Sequence, residues 1–246
     1  MSFFLHKNNI FIFFFNYNIG RQDVNILLVF ASEKEAALLD LISGISKAQG
    51  VFTFAGHRLD VCITGVGGIN TAWAMHEWLI CHPVPDLAIN AGIAGSFRSA
   101  IQVGEPVLPV SDCFADLGVE INGEFFTLNE AGIGSRDNSQ PEGERLKVGN
   151  EHFDKISRLA RQVHAVSVNT ASGSEASVKR LKNKFNPDIE SMEGATFFYI
   201  CIREKIPFFA VRSVSNYVET GERGSWDIPL ALRGLAGKLE QILNTI

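Results

Sequence analysis

Residues 24–41 read VNILLVFASEKEAALLDL, and this stretch decides the class of fold. The run Val24–Phe30 is apolar at every position except Asn25, which predicts a strand buried on both faces of a sheet. Charged residues, alanines and leucines follow at helical spacing over Glu33–Leu41. A buried strand that leads into a helix is typical of α/β proteins, in which helices cover the sheet.

The alternation of strands and helices continues to the carboxyl end of the chain. Further strands are predicted at Val51–Phe54, Arg58–Thr64, Leu87–Asn90, Glu105–Cys113, Ala165–Thr170 and Pro207–Ser213. Further helices are predicted at Asn70–Cys81, Glu151–His164, Glu175–Lys184, Met192–Glu204 and within Pro229–Leu243. The stretch Leu117–Val148 lacks such a pattern and is interpreted as an insertion with short strands. Together these elements predict one α/β domain over residues 24–246, built on a mixed or parallel sheet.

Composition and charge exclude several classes of protein. Of the 246 residues, 46% are hydrophobic and 20% are charged, which excludes a disordered chain and suffices for one large core. Lys and Arg number 22 against 27 Asp and Glu, and the net charge of −5 argues against binding to nucleic acid or to a membrane surface. The 4 cysteines are scattered, as in cytoplasmic proteins, and with the 6 histidines they show no zinc-binding spacing, so no metal is predicted.

Residues 1–23 differ in composition from the rest of the chain. Of the 19 phenylalanines, six lie here: Phe3, Phe4, Phe11, Phe13, Phe14 and Phe15. The apolar run Ile10–Phe15 is much shorter than the roughly 20 residues of a membrane-spanning helix, and no signal-peptide cleavage site follows it. We therefore expect a disordered or extraneous leader, with an anchor or a partner-binding strand as the alternative.

Two segments of small residues follow predicted strands. Gly65–Asn70 reads GVGGIN and precedes a helix, but Asn70 occupies the third glycine position of a dinucleotide-binding motif, so a tight turn is favoured over dinucleotide binding. Asn90–Ser96 reads NAGIAGS and follows a buried strand. Small residues at the carboxyl end of a strand let a ligand approach the backbone closely, although a tight turn is the alternative.

Three polar side chains are candidates for chemistry at this edge of the sheet. Glu35 can act as a base, or it is a helix-start acid favoured by the helix dipole. Glu193, within Ser191–Ala195, begins an apolar helix and, when ionised, can accept hydrogen bonds from two vicinal hydroxyls. Asn216, within Arg212–Tyr217, can form hydrogen bonds with the edge of a nucleobase that carries both a donor and an acceptor. Alternatively, it ends the strand in an Asx turn.

Taken in order, five segments resemble the nucleoside phosphorylase and nucleosidase family: Val29–Glu35, Gly65–Ala72, Asn90–Gly95, Ser191–Ala195 and Arg212–Asn216. Each segment alone is weakly specific, but the resemblance extends over essentially the whole chain after residue 23. It implies a three-layer α/β/α fold around a twisted, mixed central sheet, with the active site at strand ends. It also implies a purine nucleoside substrate, no cofactor and a homo-oligomer.

The resemblance implies a role for each candidate residue. Glu35 would activate water, Glu193 would bind the ribose hydroxyls, and Asn216 would bind the base. The remaining implied contacts are backbone groups that line the base and a side chain that packs on the sugar: Ala94, Gly95, Ser172, Gly173 and Met192.

Two departures from the family pattern narrow the expected reaction. Asn90 and Ile93 stand where phosphorylases of this family place a phosphate-binding Arg and Ser, so hydrolysis is favoured over phosphorolysis. Nucleosidases for methylthioadenosine and adenosylhomocysteine carry Asp in place of Asn216, as an acid that protonates adenine. Because an amide cannot supply that proton, Asn216 is better suited to a 6-oxopurine.

The segments Ile189–Ala195 and Ser213–Val218 are most similar to the futalosine hydrolase branch of the family. The reaction that this implies is the release of hypoxanthine from futalosine, on a route to menaquinone. Phe125, Phe126 and Trp226 are candidates for the pocket of the aromatic 5′ substituent. The alternatives are a methylthioadenosine/adenosylhomocysteine nucleosidase, another purine nucleoside hydrolase or phosphorylase, and a non-catalytic nucleoside sensor.

Overall fold

The structure is a computed structural model that describes residues 23–48, 51–133, 145–218 and 226–246. The expected leader, residues 1–23, therefore lies outside the described residues apart from Asp23. No helix within these ranges is long and apolar enough to cross a membrane.

Twelve strands lie within the described ranges: β1 (Asn25–Phe30), β2 (Ser46–Ala48), β3 (Val51–Phe54), β4 (His57–Ile63), β5 (Leu87–Ser96), β6 (Pro106–Asp112), β7 (Gly118–Ile121), β8 (Glu124–Thr127), β9 (Leu146–Lys147), β10 (Arg161–Ser167), β11 (Ile189–Ser191) and β12 (Phe208–Tyr217). The helices are α1 (Glu33–Ala36) with a 3-10 continuation (Ala37–Leu41), α2 (Gly68–Cys81), α3 (Glu151–Ile156), α4 (Glu175–Phe185), α5 (Gly194–Glu204) and α6 (Ile228–Leu243).

One mixed sheet organises the described chain. Its strands run in the order β11-β10-β6-β12-β5-β1-β4-β3-β2, with β9 paired to β6. Strand β11 also pairs with β5, so β5, β12, β6, β10 and β11 close into a ring. Strands β7 and β8 form a separate two-stranded sheet in the predicted insertion, whose residues 134–144 lie outside the described ranges.

The first strand shows why the sheet is covered on both sides. Ile26, Leu28 and Phe30 are fully buried in a core that includes Leu235 and Leu239 of α6. Leu27 and Val29 are fully buried in a second core on the other face, which includes Phe197 and Phe198 of α5. Because side chains alternate between the faces of a strand, an apolar residue at each position requires a helical layer on each side. The expected three-layer α/β/α fold is confirmed.

The predicted helix Glu151–His164 is wrong beyond its first six residues. Helix α3 ends at Ile156, and Arg161–Ser167 forms strand β10 between β6 and β11. Within β10, buried Val163 and Ala165 alternate with exposed His164, which is the period of a half-buried strand. Pairing with β6 and β11 therefore prevails over the helical pattern of this segment.

The segment Asn90–Ser96, for which a tight turn after the strand was the alternative, instead continues strand β5. Its residues pair in parallel with β12, which likewise continues through Asn216 to Tyr217. The glycines serve close packing here, since a Cβ at Gly92 would lie 2.9 Å from Glu35 Oε1. The small residues that looked like a turn therefore allow side chains from neighbouring elements to reach the strand.

Candidate active site

A cavity of about 210 Å³ opens where β1, β5, β11 and β12 meet. Its wall contains most of the residues that the sequence singled out: Glu35, Ala94, Gly95, Ser172, Met192, Glu193 and Asn216. Gly173 is not on this wall, although it was expected to line the base. The structure thus brings three separate polar candidates into one site.

Glu35 is positioned by the junction between β1 and α1. The Ser32 hydroxyl caps α1 and accepts a hydrogen bond from Glu35 N at 3.3 Å. The Glu35 carboxylate accepts hydrogen bonds from Ala31 N at 3.0 Å and from Ile93 N at 3.1 Å. Burial raises the pKa of this carboxyl, while the Ile93 N–H and the charge of Arg212 act in the opposite direction. A buried carboxyl with a raised pKa on a cavity wall suits a general base.

Glu193 is held at the start of α5, on the same wall. Its Oε1 accepts a hydrogen bond at 2.9 Å from the N–H of Gly67, which has a φ of 94° and ends the glycine turn before α2. The tight turn predicted for Gly65–Asn70 is therefore present, and it presents a backbone donor to Glu193. One carboxylate accepts about four hydrogen bonds, so Glu193 keeps acceptor positions for a ligand.

Asn216 lies in an irregular part of β12, where the pairing with β5 shifts between Val214 and Asn216. Its Oδ1 accepts a hydrogen bond from the Ser215 hydroxyl at 2.7 Å, and its Nδ2 donates to Tyr217 O at 3.1 Å. These two contacts fix the orientation of the amide. The second N–H and the second lone pair of the amide are the groups that can contact a base.

Two buried charged residues behind the wall were not assigned a role from the sequence. Arg212 is 2% exposed and donates to Asn90 O at 2.7 Å and to Asn90 Oδ1. Burial lowers the pKa of Arg212, while the charges of Glu193, Glu35 and Asp112 raise it. This guanidinium therefore balances the carboxylates of the site. The signal in the sequence was an arginine that directly follows the apolar run Phe208–Val211.

Asp112 belongs to a hydrogen-bond network that supports the start of α5. It accepts hydrogen bonds from Ser167 Oγ at 3.1 Å and Cys113 N at 2.7 Å, and Ser167 Oγ in turn accepts one from Ala195 N at 2.8 Å. Burial raises the pKa of Asp112 to about 7. Because α5 begins beside Glu193, this network fixes the position of the Glu193 carboxylate.

Glu190 is a third carboxylate on the wall, and the sequence analysis missed it. Its two oxygens accept hydrogen bonds from Ser172 N at 2.8 Å and Ser172 Oγ at 2.6 Å. Ser172, whose backbone was expected to line the base, lies on the cavity wall, and its N–H is bonded to Glu190. Burial raises the pKa of Glu190.

The three aromatic candidates for a 5′ pocket separate clearly. Trp226 lies on the cavity wall. Phe125 instead contacts Phe185 and the guanidinium of Arg180, and Phe126 lies 5.7 Å from Lys184 Nζ. Only Trp226 of the three is thus placed to contact a ligand in this cavity.

The family model of the phosphorylase superfamily matches residues 30–246. The chain is 28% identical to futalosine hydrolase of Streptomyces coelicolor over 201 residues, which cover 77% of this chain and 83% of that protein. It is 30% identical to futalosine hydrolase of Acidothermus cellulolyticus, over 72% of this chain and 71% of that protein. It is 24% identical to 5′-methylthioadenosine/S-adenosylhomocysteine nucleosidase of Halalkalibacterium halodurans, over 75% of this chain and 84% of that protein.

Solved structures show the same fold. The 5′-methylthioadenosine/S-adenosylhomocysteine nucleosidase of Neisseria meningitidis, in complex with methylthio-immucillin-A, superposes with a TM-score of 0.74 at 21% identity, covering 90% of this chain and 99% of that one. Futalosine hydrolase of Helicobacter pylori superposes with a TM-score of 0.71 at 13% identity, covering 91% and 98%. The chain therefore belongs to the phosphorylase superfamily and is an enzyme of its nucleosidase group.

Proposed function

We propose that this enzyme hydrolyses the N-glycosidic bond of futalosine and releases hypoxanthine. The observation that carries the proposal is an amide, Asn216, on the wall of a cavity that also holds Glu35 and Glu193. Glu35 contacts Ile93 and Asn216 pairs with Gly95, so the two residues meet strand β5 two positions apart, about 7 Å along the strand. This separation supports a mechanism in which the departing purine and the attacking water occupy different points of one cavity.

Glu35 is the general base in this mechanism. Its ionised carboxylate takes a proton from water as the water oxygen bonds to the anomeric carbon. The bond from that carbon to the purine nitrogen breaks, and its electron pair moves onto the purine. The free N–H of Asn216 donates to the departing purine and stabilises the negative charge that develops there.

Glu193 acts on the sugar. Its carboxylate accepts hydrogen bonds from the ribose hydroxyls and lies close enough to stabilise the positive charge of an oxocarbenium-like transition state. Met192, on the same wall, offers an apolar surface to the sugar. The backbone of Ala94 and Gly95 forms the surface beneath the base.

The charges of the cavity favour water over phosphate as the attacking group. Lys34 is the single Lys or Arg among the described wall residues, and it is exposed. The buried Arg212 donates its hydrogen bonds to Asn90 and to Val211 O. A phosphate near Glu35 and Glu193 would meet two carboxylates whose charge Arg212 already balances, which is costly.

Incubation with futalosine, aminofutalosine and methylthioadenosine, each with and without phosphate, tests the proposal. We expect the highest kcat/KM for hypoxanthine release from futalosine, independent of phosphate. Faster release of adenine from methylthioadenosine would instead support a methylthioadenosine/adenosylhomocysteine nucleosidase, and turnover that requires phosphate would support a phosphorylase.

The proposal places the enzyme in menaquinone biosynthesis in the cytoplasm, as a homo-oligomer that binds neither nucleic acid nor membrane. Helix α2 supports self-association, because Ile69, Trp73 and Ile80 are 82%, 66% and 70% exposed. Exposed apolar side chains of this size on one helix are typical of a subunit contact. Light scattering on the purified protein tests this, and a monomeric mass would contradict it.

A further inference from the structure

The mechanism above makes no use of Glu190, although this residue lies on the cavity wall. Strand β11 runs antiparallel to β5 and pairs Glu190 with Gly95. Strand β12 pairs Asn216 with the same glycine from the other side. Since neighbouring strands are about 4.8 Å apart, the backbones of Glu190 and Asn216 lie about 10 Å apart across Gly95. Both side chains face the cavity.

Gly95 and the side chain of Val218 line the surface between these two side chains. A Cβ on Gly95 would lie 2.7 Å from Val218 Cγ2 and 3.4 Å from Asn216 Nδ2, so Val218 packs directly over Gly95. A flat heterocycle that rests on this surface would therefore present one edge to Asn216 and another to Glu190.

Glu190 is arranged as a hydrogen-bond acceptor. It is 7% exposed, and its contacts with Ser172 use one acceptor position on each oxygen. A carboxylate has about four such positions, so two are left for a ligand. No described Lys or Arg donates a hydrogen bond to it. A donor on the ligand would thus satisfy an otherwise under-used buried carboxylate.

The geometry points to Glu190 as the residue that selects a 6-oxopurine, by accepting a hydrogen bond from its N1–H while Asn216 contacts the N7 and 6-oxo edge. This inference rests on the proposed function for the nature of the base. A 6-oxopurine carries a hydrogen on N1, whereas a 6-aminopurine has a lone pair there. A lone pair that faces a carboxylate makes no hydrogen bond and is repelled, so Glu190 discriminates between the two bases.

The variant Glu190→Gln tests this role, because it keeps the shape of the side chain but replaces one acceptor with a donor. We expect the ratio of kcat/KM for futalosine to that for aminofutalosine to fall about 10- to 100-fold, the usual effect of one hydrogen bond to a charged group. The matched control is Glu193→Gln, which should slow both substrates and leave the ratio unchanged. An equal loss on both substrates in Glu190→Gln would overturn the inference.

Binding of the free bases tests the same contact without turnover. By calorimetry, the unmodified enzyme should bind hypoxanthine at least 10-fold more tightly than 1-methylhypoxanthine, which lacks the N1–H, and Glu190→Gln should lose this preference. Equal binding of the two bases by the unmodified enzyme would refute the contact with Glu190. If hypoxanthine binds with this preference but futalosine is not cleaved, the proposed function fails and the assignment of Glu190 stands.

Discussion

Oε1 of Glu35 accepts a hydrogen bond at 3.1 Å from the backbone N–H of Ile93, which joins the end of strand β1 to the middle of β5. The carboxylate that serves as base in the proposed mechanism is therefore fixed by the sheet itself. The charge of Arg212 favours its ionised form, and burial opposes it.

Glu35→Gln should lower kcat by about 100-fold or more, because the amide cannot take a proton from water. Binding of hypoxanthine should change little. In the unmodified enzyme, kcat/KM should fall as the pH drops through the raised pKa of Glu35, above the ordinary value of 4.5. Glu33→Gln, two residues away and exposed, is the matched control and should be fully active. An undiminished kcat in Glu35→Gln would show that Glu35 is not the base, and nucleoside binding without turnover in both proteins would favour a nucleoside sensor instead.

Asp112 predicts a pH dependence of stability with a definite sign. Its pKa is about 7 in the folded protein against an ordinary 3.8, so the folded state binds more protons than the unfolded state between these values. The contribution of Asp112 to the free energy of unfolding is therefore fully present below about pH 4 and falls as the pH rises to 7. The total fall is about 1.4 kcal/mol for each unit by which the folded pKa exceeds the unfolded pKa.

The free energy of unfolding of Asp112→Asn, measured with urea from pH 4 to 8, isolates this effect from other groups. Relative to the unmodified protein, the variant should gain stability steadily up to about pH 7 and then level off. A difference that does not change with pH would show that Asp112 titrates normally.

The sequence predicts those parts of the molecule that depend on local pattern. Continuous apolar runs identify β1, and position after a strand identifies Glu35 as a candidate. The role of Glu190 depends on its pairing with Gly95, which lies 95 residues away and leaves no trace in a three-residue strand. Arg212 looks like an unfavourable core residue until the fold brings Glu35 and Asp112 near it. The local sequence pattern therefore carries no information about the register of distant strands or about the balance of buried charges.

Gly194 should be intolerant of any side chain. A Cβ there would lie 2.1 Å from Asp112 Oδ2, so Gly194→Ala must displace the start of α5 and with it Glu193. We expect a loss of about 1–3 kcal/mol of stability, as for other overpacked sites, and a marked loss of kcat/KM. Gly173→Ala is the matched control, since nothing lies within 4 Å of its Cβ position. Full activity in Gly194→Ala would contradict the tight packing of α5 on Asp112.

If the substrate is futalosine, as proposed, we expect Lys34 to meet its acidic 5′ substituent. It lies on the cavity wall and is exposed to solvent. Futalosine carries an aromatic keto acid at the 5′ position, whereas inosine carries only a hydroxyl. Because an exposed ion pair contributes about 0.2–1 kcal/mol, Lys34→Gln should raise KM for futalosine about 1.4- to 5-fold and leave KM for inosine unchanged. Lys34→Arg should retain the affinity, and added salt should raise KM for futalosine only in the enzymes that keep a cation here. An equal change for futalosine and inosine would place the acidic group away from Lys34.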